Sequence, residues 1–291
     1  MAVGEGRAYV ANFGLENEEG TVSIIDTSNN AVISTARIGP RPALAAAGDG
    51  KGYIVSAGTG TGSGALYALS SDADIASVQT GYFAFGAAYL NGRVYVTHRG
   101  ADHIAVVDAT TSQLLHTIPI SGPLYAIVAN PSTGHIFAVN AASSRVYAFD
   151  AATMTLIGDI PVDFQDADHG GQGIAVDPAL NKVFVAAYGA QKVSVIQDCL
   201  ASGQPTPTAT ATAMPTVIPS PSPSPTPTPT AIFTPSPTPT PTATAVCTPG
   251  VVMTHTVGVH PKSLAMDVSS GLLHVALFDS SELIILNATD L

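Results

Sequence analysis

The chain contains no tryptophan, and Phe and Tyr make up only 6% of its 291 residues. A core without large rings has to be assembled from Ala, Val, Ile and Leu, which the 46% hydrophobic share supplies. Basic residues are scarce and scattered, with ten Lys and Arg against 21 Asp and Glu, for a formal charge of −11. Phosphate backbones require clustered Lys and Arg, so this balance argues against a nucleic-acid partner and leaves an acidic surface. No run is long and apolar enough to span a membrane, and no apolar pattern at helical spacing outlasts two turns. Met1-Ala2-Val3-Gly4-Glu5-Gly6 carries neither the basic nor the apolar region of a secretory leader. There is no nucleophile elbow, phosphate loop or Cys-x-x-Cys-His haem attachment. Gly58-Thr59-Gly60-Thr61-Gly62-Ser63-Gly64 is followed by no Lys and no helical pattern, which makes it a hairpin loop.

What is present is repetition. A short apolar run built around an aromatic or His recurs with that residue at positions 9, 53, 95, 137, 184 and 274, so that successive gaps are 44, 42, 42, 47 and 90 residues. A period in the low forties is that of a four-stranded propeller blade, and the last gap is one repeat plus an insert of similar length. A second run follows each first one, as in Val22 to Ile25 and Ile104 to Val107. It closes on Asp26, Ser70, Asp108, Asp150, Gln197 or Asn287, residue types that start tight turns by bonding their own backbone two positions on. Third runs (Ala31 to Ile38, Leu114 to Ile120) and small-residue fourth runs (Pro42 to Ala47, Gly86 to Tyr89) complete the unit. The Ala-rich run is expected innermost, where blades converge. The fold class is therefore all-β: a propeller of about six four-stranded blades with a disordered Pro/Thr-rich insert. By this count the first repeat lacks its inner strand and the last stops before its third run. The chain is then either a fragment of a six- or seven-bladed protein or a six-bladed ring that closes imperfectly.

Val94-Tyr95-Val96-Thr97-His98, Ala8-Tyr9-Val10-Ala11-Asn12, Val22-Ser23-Ile24-Ile25-Asp26 and Gly39-Pro40-Arg41-Pro42 resemble the repeat of the YVTN family of β-propellers. In that repeat a Tyr-Val-Thr-Asn strand precedes a Val-Ile-Asp strand and a Gly-x-x-Pro turn. The likeness covers nearly everything outside the insert. It implies the fold, and it leaves surface-layer modules, binding proteins and redox-enzyme domains all open as functions.

Three segments follow from the composition: 1–198 and 248–291 as propeller, and 199–247 as the insert. Residues 203–246 are almost wholly Pro, Thr, Ser and Ala, and no Asp, Glu, Lys or Arg occurs between Asp198 and Lys262. Such a segment cannot form a core. It is either an extended spacer bearing O-linked sugars, reaching on the order of 100 Å if stiff, or a plain disordered linker. By register it leaves and re-enters between neighbouring antiparallel strands, and the chain's two cysteines, Cys199 and Cys247, mark the two points. A Cys199–Cys247 disulfide is expected to pin this neck, stabilising by about 4 kcal/mol and implying an oxidising compartment, with free thiols as the alternative.

Candidate chemistry gathers in loops of one propeller face. The segment from Asp163 to Gln172 is the longest and carries Asp163, Asp166, Asp168 and His169, followed by Gly170 and Gly171. Asp166 and Asp168 are the candidate ligands for a divalent cation such as calcium, although the spacing does not match the helix-flanked calcium loop. His98, Asp102, His103 and His169 would form a metal or acid/base cluster if their loops converge. His98 stands where the family repeat has Asn, so capping its strand is the competing role. His135 and His116 read as strand-face residues. The expected function is a non-enzymatic extracellular or cell-surface scaffold that binds a protein or glycan component and needs no cofactor. The alternatives are a metal-dependent hydrolase of the lactonase type and a propeller domain of a larger redox enzyme.

Overall fold

The computed structural model describes residues 1–13, 18–59, 62–70, 74–165, 173–199 and 248–291. These belong to one unit, Met1–Cys199 with Thr248–Leu291. Apart from a single 3-10 turn at Ala288–Asp290, every regular element described is a β-strand.

Each blade is a meander of consecutive antiparallel strands. The first comprises β1 (Ala2–Gly4), β2 (Arg7–Asn12), β3 (Glu19–Asp26) and β4 (Ala31–Pro40). The second comprises β5 (Pro42–Gly48), β6 (Lys51–Ser56), β7 (Ser63–Leu69) and β8 (Ile75–Tyr82). The third runs through β9 (Ala84–Leu90), β10 (Arg93–His98), β11 (His103–Asp108) and β12 (Leu114–Pro119). The fourth runs through β13 (Ile127–Asn130), β14 (His135–Asn140), β15 (Arg145–Asp150) and β16 (Thr155–Pro161). The fifth consists of β17 (Ile174–Asp177), β18 (Lys182–Ala187), β19 (Lys192–Gln197) and β20 (Gly250–Thr256), and the sixth of β21 (Pro261–Asp267), β22 (Leu272–Leu277) and β23 (Leu283–Asn287). The all-β propeller of six blades read from the repeat is the fold. One strand count differs from expectation: the first blade does have its inner strand. Ala2-Val3-Gly4 pairs with β2, Val3 opposite Ala8, but three residues are too few to show a period. The sixth blade has three described strands, so β23 is its outer edge.

The recurring aromatic explains the stacking of blades. Tyr9, Tyr53, Tyr95, Phe184 and His274 each lie opposite an inner-strand alanine (Ala2, Ala46, Ala88, Ala175 and Ala265), whereas Phe137 faces Val128. A ring over a methyl fills the space between tapering blades, and all five aromatics are fully buried, each worth roughly 2 kcal/mol. Tyr9 of the first blade packs on Gly52 of the second, where a Cβ would come within 2.3 Å of its ring. Asp26, Asp108, Asp150 and Asn287 start turns as read, whereas Gln197 donates to the Leu180 and Asn181 carbonyls and Ser70 to the Asp74 carboxylate. Asp108 accepts from the Thr110 and Thr111 amides at 2.9 and 2.7 Å, and Asp150 from those of Ala152 and Thr153 at the same distances.

A second periodic device ties blade to blade. In four blades the residue opening the second strand is Lys or Arg, and it donates to a backbone carbonyl of the next blade: Arg7 to Ser70, Lys51 to Ala109, Arg93 to Ala151 and Lys182 to Ala288. In the fourth blade that residue is His135, and the fifth blade answers with the Asp198 side chain. His135 Nδ1 lies 2.7 Å from Asp198 Oδ1, with both side chains buried. Thr133 and Asn130 donate to the other carboxylate oxygen at 2.5 and 2.8 Å, and the Cys199 amide donates to Oδ1 at 2.8 Å. His135, read as a strand-face residue, is thus part of a buried hydrogen-bond network at the root of the insert.

Inner strands pack side by side in the order β1, β5, β9, β13, β17, β21. Together they enclose an apolar channel of about 650 Å³ lined largely by alanines such as Ala46, Ala87 and Ala126. β21 and β1 both line it, but without the close packing of the other five joints.

Candidate functional site

In a meander of this kind the connections between blades and those between second and third strands emerge on one face. Hydrogen bonds lock the two sets together. The Ala57 amide donates to the Arg41 carbonyl at 3.1 Å, Arg99 to Phe83 at 2.9 Å and Phe278 to His260 at 3.0 Å. The three accepting residues occupy equivalent corners, and all three are left-handed, with φ of 55°, 55° and 54°. That region favours glycine, and a bulky side chain there is strained, which marks the position as a functional candidate.

The corner side chains meet. The Arg41 guanidinium lies 4.8 Å from the Phe83 ring centroid, and that of Arg99 lies 5.4 Å from the same centroid. Arg99 also sits 5.5 Å from Phe85 and 4.7 Å from Tyr125, while Phe85 and Tyr125 pack edge to face at 5.7 Å. Tyr82, 41% exposed, extends the patch, its ring lying on Gly100. Across the face, His260 stacks on Tyr188 at 4.3 Å and pairs with Asp279, and Lys262 lies over Phe278 at 4.1 Å. Two arginines and several rings thus meet where the inner strands begin, an arrangement suited to recognition by stacking and charge.

The residues singled out from sequence are placed differently. His98 and His103 are together, ring centroids 4.6 Å apart, but His98 is fully buried. Its Nδ1–H donates to the His103 carbonyl at 3.1 Å, and its Nε2 accepts from the Thr80 hydroxyl at 3.2 Å. Burial pushes its pKa down to about 4. His103 Nε2 donates to the Thr80 carbonyl at 2.9 Å, and Asp102 accepts the Gly122 amide at 3.0 Å. These three side chains hold β8, the β10–β11 turn and the following inter-blade loop to each other. Asp163 is exposed and accepts from Gln165 at 2.9 Å. Asp166, Asp168 and His169 lie outside the described residues, as does Cys247. Among the described residues no group of three or more His, Cys, Asp or Glu is arranged to hold a metal ion. Sequence reading passed over Arg41, Phe83, Phe85 and Tyr125. The available signal was Tyr82-Phe83-Ala84-Phe85, the densest aromatic cluster of an aromatic-poor chain, set at a corner where glycine is the easy choice.

No family model matches the chain, and no curated protein resembles it in sequence. Solved structures do. The Kuenenia stuttgartiensis hydrazine synthase superposes with a TM-score of 0.66 at 13% identity, covering 97% of this chain and 80% of that one. A 6-phosphogluconolactonase candidate from Bacteroides uniformis gives 0.65 at 12%, covering 96% and 77%. The β-propeller domain of Myceliophteria thermophila Cps50 (Swd1) gives 0.60 at 11%, covering 99% and 84%. The chain is a six-bladed β-propeller. At such identities the likeness is one of fold, and propellers as different as these three select no single activity.

Proposed function

We propose that this propeller is a non-enzymatic binding scaffold of the cell exterior, holding a protein or glycan surface component on its loop face. One observation carries the reading: aromatic and arginine side chains are presented together on that face from corners strained to display them. His98, Asp102 and His103, the polar groups that chemistry would recruit, are instead bonded to neighbouring backbone or buried hydroxyl groups. The Pro/Thr-rich insert serves as a spacer carrying O-linked sugars, leaving the ring at the Asp198 network. A Cys199–Cys247 disulfide closes its neck, a reading supported by Cys199 not being a free thiol. Intact-mass analysis of alkylated, unreduced protein then shows no added label, and labelling of both cysteines would remove the disulfide and with it the case for export.

The test of the scaffold is saturable binding of the full chain to a panel of immobilised neutral and acidic glycans and surface-layer proteins, with a lactone-hydrolysis assay alongside. Binding with no turnover is the expected result. Calcium-dependent hydrolysis of a lactone, lost on replacing Asp166 and Asp168 by Ala, would overturn the scaffold in favour of a metal-dependent hydrolase.

A further inference from the structure

Resting on the scaffold reading, we infer that the Arg99 corner is a carbohydrate site for a carboxylated sugar ring, of the uronic-acid type. Arg99 is half-buried, and three rings, Phe83, Phe85 and Tyr125, frame its guanidinium at 4.7 to 5.5 Å. Among the described residues Arg99 forms no ion pair, unlike Arg37 with Glu19 and Arg145 with Asp159. Its one side-chain hydrogen bond is a long one, 3.4 Å from Nη2 to the Tyr125 hydroxyl. A guanidinium stacked on its faces keeps its in-plane N–H edge for a ligand, and that edge matches the two oxygens of a carboxylate.

The setting is prepared before any ligand arrives. The Arg99 amide is bonded to the Phe83 carbonyl, so the charge and one of its rings are fixed to each other through the backbone. Arg41 brings a second guanidinium to the same ring. The chain carries a net charge of −11, against which Arg99 is a local positive charge. Beside the charge, the exposed Tyr82 ring, packed edge to face against Phe83, suits the C–H face of a pyranose, as aromatic rings do with flat apolar surfaces. The same net charge disfavours a peptide bearing several carboxylates. One anionic group on a CH-rich ring fits both the local charge and the global one.

The experiment is calorimetric titration of the full chain with methyl galacturonoside, with the neutral methyl galactoside and with a Glu-rich peptide, on wild type, Arg99→Gln and Arg99→Lys. Each variant's melting temperature is checked first. Expected are binding of the uronide in preference to the neutral sugar and the peptide, a loss of about ten-fold or more in Arg99→Gln, and partial recovery in Arg99→Lys, in line with a charged hydrogen bond. A second pair of variants, Tyr82→Ala and Phe83→Leu, weakens the uronide without abolishing charge recognition. Equal affinity for uronide and neutral sugar, an unchanged affinity in Arg99→Gln, or tighter binding of the peptide would each overturn the site. If the uronide fails while another member of the glycan and protein panel still binds, this site is wrong and the scaffold stands. If nothing on the panel binds, both fall.

Discussion

His98 shows how a single residue can be legible in type and not in role. It replaces the asparagine of the resembled repeat, and the structure buries it between Thr80 and His103 in the neutral form. Its folded pKa of about 4 lies below the ordinary value of 6.5. Between those limits the unfolded chain binds the proton that the folded chain refuses, so stability rises with pH. The contribution is complete above pH about 6.5 and is lost as pH falls toward about 4, amounting to roughly 3 kcal/mol. Urea unfolding at pH 7 and pH 4.5 should show a shallower loss in His98→Asn than in wild type, and equal losses in the two proteins would contradict this account. Gly48 gives a steric counterpart. A Cβ there would sit 2.2 Å from the Tyr89 ring, so Gly48→Ala should lower stability by about 1–3 kcal/mol through overpacking, read from the denaturation midpoint. The Asp turns were readable because they need only neighbours in the chain. The role of His98 was not, because it depends on Thr80, which arrives from a different blade.

At the scale of elements, strands and their order follow from the repeat, while the joints between blades carry information that no single repeat contains. The Arg7, Lys51, Arg93 and Lys182 contacts form a series, and His135 with Asp198 is its buried side-chain version. Asp198→Ala would leave His135, Thr133 and Asn130 facing an empty space inside the protein. It should cost about 3–5 kcal/mol, the range for removing one partner of a buried pair, and Asp198→Asn should cost less. A change below about 1 kcal/mol in Asp198→Ala, measured by chemical denaturation, would mean that the network adds little to the joint. The same comparison separates stability from attachment, since Asp198 precedes the cysteine at which the insert begins. β19 and β20 pair from Lys192 opposite Thr256 to Gln197 opposite Gly250 regardless of what lies between them in sequence. Replacing residues 203–246 by a short Gly-Ser linker should therefore leave the far-ultraviolet spectrum and the melting temperature of the propeller nearly unchanged. A collapse of the melting transition would show that the insert contributes to the fold.

For the whole molecule, the ring is uneven. Five joints between inner strands are closely packed, the sixth is not, and the neighbouring blade ends in an uncovered β23 with Leu283 and Ile285 exposed by 58% and 53%. Local opening should start there, and hydrogen exchange should be fastest in β21 to β23 and β1 and slowest in the third and fourth blades. Uniform protection around the ring would contradict that gradient. The repeat period, the small inner residues, the turn-forming Asp residues and the composition break at the insert were all determined by the sequence itself, because each rests on the local geometry of a strand or a turn. The inner strand of the first blade, the burial of His98, the His135–Asp198 pair and the meeting of Arg41, Arg99 and Phe83 were decided only by tertiary structure. In each of these cases the partners lie in different strands or blades, and only closure of the propeller brings them within reach of one another.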